Sequence, residues 1–136
     1  MITKVTHASR NFTDVDAALK FYTELLGFQK KMDNEMGPGQ RWLTVSPADQ
    51  PDFEVVLMDL QGWVPAEQIE QARAGLAHQS QLMVATNDIE GLFARLKAEG
   101  VELVTPEINT MPWGRDLVFR DPSGSTIYVV EPPAQG

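Results

Sequence analysis

Two stretches of this chain repeat one pattern, and the repeat limits the folds open to it. Residues 14–27 read DVDAALKFYTELLG and residues 88–100 read DIEGLFARLKAEG. Each begins at an aspartate where a helix N-cap belongs, its carboxylate near the free N–H groups of the first turn. Each places apolar side chains at helical spacing: Ala18, Phe21, Tyr22, Leu25 and Leu26 in the first, Ile89, Leu92, Phe93 and Leu96 in the second. Each ends at a glycine, Gly27 or Gly100, suited to a helix C-terminus.

The flanking segments repeat as well. A strand precedes each helix, over residues 2–8 (ITKVTHA) and 79–86 (QSQLMVAT). Three more strands follow each. In the first half these are FQKKMDNEM, RWLTVS and FEVVLMDL; in the second, VELVT, WGRDLVFR and STIYVVE, the last two joined by a type I turn at DPSG. The order strand–helix–strand–strand–strand therefore occurs twice. The reading is an α+β fold of two tandem βαβββ modules in one domain. Module 1 covers about residues 1–60, a connector 61–78, and module 2 about 79–132. In the connector, Pro65 opens a short helix through AEQIEQARA and Gly75 closes it. The tail PPAQG is read as loose.

Composition removes several function classes. A net charge of −8 and a pI of about 4.6 oppose phosphate backbones, so no nucleic-acid partner is expected. The absence of cysteine excludes disulfides, thiolate zinc sites and a cysteine nucleophile. No apolar run approaches the roughly 20 residues of a membrane span. The start MITKVTHASRNF lacks a signal-peptide core, so the cytoplasm is the expected location. GPGQ lacks the lysine and hydroxyl of a phosphate-binding loop.

The stretches VTHASRNFTDVDAALKFYTELLGF, LMVATNDIEGLFARLKAEGVELV and MPWGRDLVFRDPSGSTIYVVEP, in this order, resemble the vicinal oxygen chelate superfamily. That group includes glyoxalase I, extradiol dioxygenases, fosfomycin-resistance enzymes and bleomycin-binding proteins. The resemblance implies a curved, cup-like mixed sheet with its helices outside, a homodimer, and four metal ligands on the cup floor. His7 matches the first ligand position, seven residues before Asp14. The same offset from Asp88 gives Gln81. The resemblance puts Val56 where the first half supplies a carboxylate, with Glu54 two residues away on the same strand face. Tyr128 stands where the second half supplies a glutamate, and Glu131 should point away from the cup.

One histidine, one amide, a valine and a phenol are a poor donor set for a divalent ion. The expectation is therefore a small-molecule-binding protein of the glyoxalase/bleomycin-resistance type with an incomplete family metal site. No cofactor is expected. If a divalent metal binds, His7, Gln81 and Glu54 are its ligands. The alternative is a lyase, isomerase or dioxygenase of the same superfamily, either metal-dependent or metal-free through His7 and Tyr128.

The residues expected to contact the small molecule are His7, Trp42, Val56, Gln81, Trp113, Arg115 and Tyr128. For Trp113 and Arg115 the argument is shared strand parity: the indole roofs a pocket and the guanidinium neutralises an anionic ligand end. Each has a plainer alternative. His7 and Tyr128 are equally read as hydrogen-bonded structural residues, Gln81 as a satisfied wall residue, and Arg115 as a surface arginine packed on the indole.

Overall fold

The computed structural model describes residues 1–134; the last two residues of the expected loose tail lie outside it. The chain forms two compact units, residues 1–76 and 77–136. Residues 61–76 of the connector fall in the first unit, and residues 77 and 78 open the second.

In the first unit, β1 (His7–Phe12) leads to α1 (Val15–Lys20), then β2 (Gln29–Gly37), β3 (Gln40–Ser46) and β4 (Glu54–Asp59). They make a four-stranded sheet in the order β1-β4-β3-β2, with β1 parallel to β4 and the other pairs antiparallel. Asp14 caps α1 by accepting from the Ala17 N–H at 3.0 Å. The expected helix runs on past Lys20 as a wider turn over Phe21–Leu25, and Gly27 ends it at φ 81°. Its buried face is Val15, Ala18, Tyr22 and Leu25. Tyr22 meets Phe12 and Phe28 edge to face, with ring centroids 6.2 and 5.4 Å away. Leu43, Val45, Val55 and Leu57 complete this core from the sheet. The expected strand over residues 2–8 is corrected: β1 starts at His7, and residues 1–6 are exposed and outside the strand. The Thr6 carbonyl still accepts from the Glu54 N–H at 3.0 Å, so the ladder begins there.

The connector folds as α2 (Leu60–Trp63), a single turn at Ala66–Gln68, and α3 (Ile69–Ala74), which Gly75 caps. Trp63 donates its indole N–H to the Arg41 carbonyl at 3.2 Å and so ties the connector to β3. His78 is exposed at the connector's end, as its position in the sequence suggests.

The second unit repeats the plan. β5 (Leu82–Ala85), α4 (Ile89–Ala98), β6 (Asn109–Met111), β7 (Gly114–Arg120) and β8 (Thr126–Glu131) follow in order. The sheet order is β5-β8-β7-β6, again with the outer first strand parallel to the last. Asp88 caps α4 through the Gly91 N–H at 3.0 Å, and Gly100 ends it at φ 71°. Ile89 and Leu96 pack under α4 with Leu117, Phe119, Ile127 and Val129 of the sheet. VELVT, expected as a strand, makes only an isolated bridge, Leu103 to Phe119. Backbone hydrogen bonds join Glu102, Val104 and Thr105 to β7, and Pro106, which has no N–H, stops the ladder there. The DPSG turn forms as expected, with the Gly124 N–H on the Asp121 carbonyl at 2.9 Å. No helix among the described residues is long and apolar enough to cross a membrane.

Candidate functional site

In each sheet the strand period of two sends one set of side chains under the helix and the other to the opposite, open face. On the first sheet the open set includes His7, Trp42, Thr44, Glu54 and Val56. Register places His7 directly beside Glu54, and Val56 beside Ser9. Val56 is buried, an apolar floor residue. Thus the carboxylate next to His7 is Glu54, not the position that the family offset marks. His7 Nε2 lies 3.4 Å from Glu54 Oε2. Thr44 donates its hydroxyl to Glu54 Oε1 at 2.5 Å. On the other side of the ring, His7 Nδ1 is 2.7 Å from the Thr6 hydroxyl oxygen. The Trp42 ring is tilted against the imidazole, with centroids 6.0 Å apart. An imidazole held from both sides and an indole beside it form one surface.

The second sheet carries different chemistry on the same frame. One step before the paired strands of β5 and β8, Gln81 stands opposite Thr126 and donates its amide N–H to the hydroxyl at 3.1 Å. That pair is the counterpart of His7 and Glu54. Further along the same face, Tyr128 donates its hydroxyl to Asp116 Oδ2 at 2.8 Å. The Trp113 indole N–H donates to the same phenol oxygen at 3.0 Å. Burial first and the Asp116 carboxylate second push the Tyr128 hydroxyl above its usual pKa. Met83, the register partner of Tyr128, Met111 and Trp113 are exposed, and Trp113 shows 57 % of its surface.

Arg115 is placed elsewhere. Gly114, at φ 136°, breaks the alternation between residues 113 and 115. The guanidinium turns to the helix side and donates to Glu131 Oε1 at 2.6 Å and Glu90 Oε1 at 3.2 Å. The other oxygen of Glu131 accepts from the Ile89 N–H at 2.9 Å, at the first turn of α4. That backbone N–H and then Arg115 hold the Glu131 carboxyl below the usual carboxylate range. Glu131 therefore faces the helix, away from Tyr128, as strand alternation predicts. A charge pair that fastens α4 to β7 and β8 already holds Arg115.

Sequence reasoning passed over Asp116 and Thr44. Asp116 is only 4 % exposed although charged, within the run RDLVF. A carboxylate inside an apolar strand was the available signal.

The donors at the four equivalent positions are one imidazole, one carboxylate, one amide and one hydroxyl. Among the described residues, no three His, Cys, Asp or Glu side chains gather as a group able to hold a metal. A tightly held divalent ion of the family type needs more imidazole or anionic donors than this, so the residues present do not fit that group.

Residues 4–129 match the family model described as the Glyoxalase/Bleomycin resistance protein/Dioxygenase superfamily. The chain is 37% identical over 129 residues to the uncharacterized protein YurT of Bacillus subtilis (strain 168), covering 94% of this chain and 98% of that one. Among solved structures it resembles UcmS2 with a TM-score of 0.83 at 32% identity, covering 96% of this chain and 98% of the other. It also resembles TnmS3, an antibiotic binding protein from Streptomyces sp. CB03234, with a TM-score of 0.71 at 32% identity, covering 97% and 98% of the two chains.

Proposed function

Because this chain belongs to the Glyoxalase/Bleomycin resistance protein/Dioxygenase superfamily, we propose that it binds an aromatic small molecule through the open faces of its sheets, without a resident metal. The observation that carries this reading is an indole beside polar groups on the face of each sheet turned away from its helix. Trp42 lies against His7 in the first, and Trp113 is tethered to Tyr128 in the second. Flat apolar rings with a few convergent polar groups are what a small-molecule site needs. Exposed Met32, Met83 and Met111 add adaptable apolar surface. The likeness to an antibiotic binding protein supports a small-molecule ligand. The contact residues of this reading are His7, Trp42, Val56, Gln81, Trp113 and Tyr128. Arg115, engaged by two carboxylates, is left out.

A homodimer belongs to the same proposal. β2 is an edge strand of nine residues, eight of them exposed, so its outer backbone N–H and C=O groups are open to pairing with a second copy. Light scattering at micromolar concentration should report two chains; one chain would remove this part.

The main test is a thermal-shift screen of aromatic natural products, antibiotics included, run with and without chelator beside a panel of Ni, Zn, Mn and Fe salts. Stabilisation by an aromatic compound, unchanged by chelator, is the expected result. Stabilisation by a metal alone, with near one ion per purified chain, would overturn it and return His7 and Glu54 to the role of ligands.

A further inference from the structure

The polarity of the second open face follows from one buried carboxylate. Asp116 is 4 % exposed and sits on β7 opposite Val130, beside the strand pair that carries Tyr128. The Tyr128 hydroxyl donates to Asp116 Oδ2 at 2.8 Å, so its proton is committed to that oxygen. The phenol oxygen is left to accept, and the Trp113 indole N–H, which only donates, does reach it at 3.0 Å. On the same face, Gln81 spends one of its two amide N–H groups on Thr126 and keeps its carbonyl oxygen as an acceptor beside the second N–H. Glu131 and Glu90 hold Arg115, the cation nearest in sequence, on the helix side.

We propose that Asp116 is a positioning residue that fixes the direction of the Asp116–Tyr128–Trp113 hydrogen-bond chain, so that this face holds its indole in place and selects aromatic ligands bearing a hydrogen-bond donor. The ligand preference rests on the binding reading above. It runs against an anionic ligand end: the face offers oxygen acceptors and no free cation among the side chains just named. Burial first and the Asp116 hydrogen bond second displace the Tyr128 pKa upward. Removing Asp116 frees the phenol proton to point outward, so that the Tyr128 position, an acceptor in the wild type, then offers a donor.

The test uses the full chain and two probes that share a ring, 2-naphthol and 2-methoxynaphthalene. They differ in that only the first can donate. The wild type should bind 2-naphthol about tenfold more tightly, the size of one net hydrogen bond. Tyr128→Phe should erase the difference. Asp116→Ala should shrink it, chiefly because 2-methoxynaphthalene binds better. Asp116→Asn keeps an acceptor oxygen and should behave as the wild type.

The second readout needs no ligand. The three tryptophans give three indole N–H signals in a 1H–15N spectrum, and Trp113→Phe assigns the one of interest. Tyr128→Phe should move that signal to the position of a solvent-exposed indole. Asp116→Ala should move it partway with faster exchange, and Asp116→Asn should leave it. A Trp113 signal indifferent to Asp116→Ala would overturn the positioning role, as would Asp116→Asn behaving like Asp116→Ala. Equal affinity of the wild type for the two probes would overturn the donor preference. If neither probe binds the wild type, the binding reading and the preference resting on it fall together, while the indole signal still decides the positioning role.

Discussion

The two sheets have one backbone plan and two kinds of open face. Each begins with a parallel pair, each is backed by a helix capped through an aspartate to the N–H three residues on, and each helix stops at a glycine with positive φ. At equivalent points one face carries His7 and Glu54 and the other Gln81 and Thr126. The first pair sets an imidazole beside a carboxylate, whereas the second sets an amide beside a hydroxyl. The lesson is that the repeat preserves what the backbone requires and leaves the faces free to diverge. Function in this fold lies in the difference between the halves.

That comparison breaks most sharply if the buried halves are unequal. Tyr22 and Leu96 stand at the same distance from their caps, and both are fully buried. Tyr22→Ala should cost about 4 kcal/mol and Leu96→Ala about 3 kcal/mol in denaturant unfolding, from lost burial and the cavities left behind. A loss under about 1 kcal/mol at either site would mean that helix is not packed as described.

Smaller and equal effects should follow at the helix ends. Gly27→Ala and Gly100→Ala each force a side chain into the left-handed region, with no steric contact to add to it, and should each cost about 1 kcal/mol. Asp14→Ala and Asp88→Ala each remove one cap hydrogen bond, again about 1 kcal/mol. A large imbalance within either pair would show that the repeat is one of shape only.

The least effect is the share of the pH dependence that Glu131 carries in the second half. Glu131 has a lowered folded-state pKa, through the Ile89 N–H first and Arg115 second. A depressed carboxylate stabilises above its unfolded pKa, near 4.3, and that contribution is lost as pH falls through the lower folded value. Glu131→Gln should therefore flatten the acid limb of the stability curve below about pH 4.3. A parallel limb in wild type and variant would remove the Glu131–Arg115 fastening from the account.

What the sequence made legible was local. The caps, the terminal glycines and the DPSG turn are set by hydrogen bonds spanning three or four residues, so they follow from residue type. The family resemblance also held. The placement of side chains across strands was less legible, because register joins residues distant in the chain. His7 meets Glu54 across a parallel pair, whereas the resemblance marked Val56 for the carboxylate position with Glu54 two residues away. Parity failed between Trp113 and Arg115 because Gly114 takes a conformation that strand alternation does not allow for. Asp116 carried one sequence signal, a carboxylate inside an apolar run, whose meaning depends on its burial and its phenol partner.

The central claim is that small molecules bind on the open faces, and mapping a bound probe tests it most directly. Isotope-labelled full-length protein titrated with 2-naphthol should shift signals of Trp113, Tyr128, Met83 and Gln81, or of His7 and Trp42, while Arg115, Glu90 and the buried face of α4 stay in place. Saturable shifts confined to the helix-bearing sides, around Arg115 and Glu131, with the open-face residues unmoved, would contradict it.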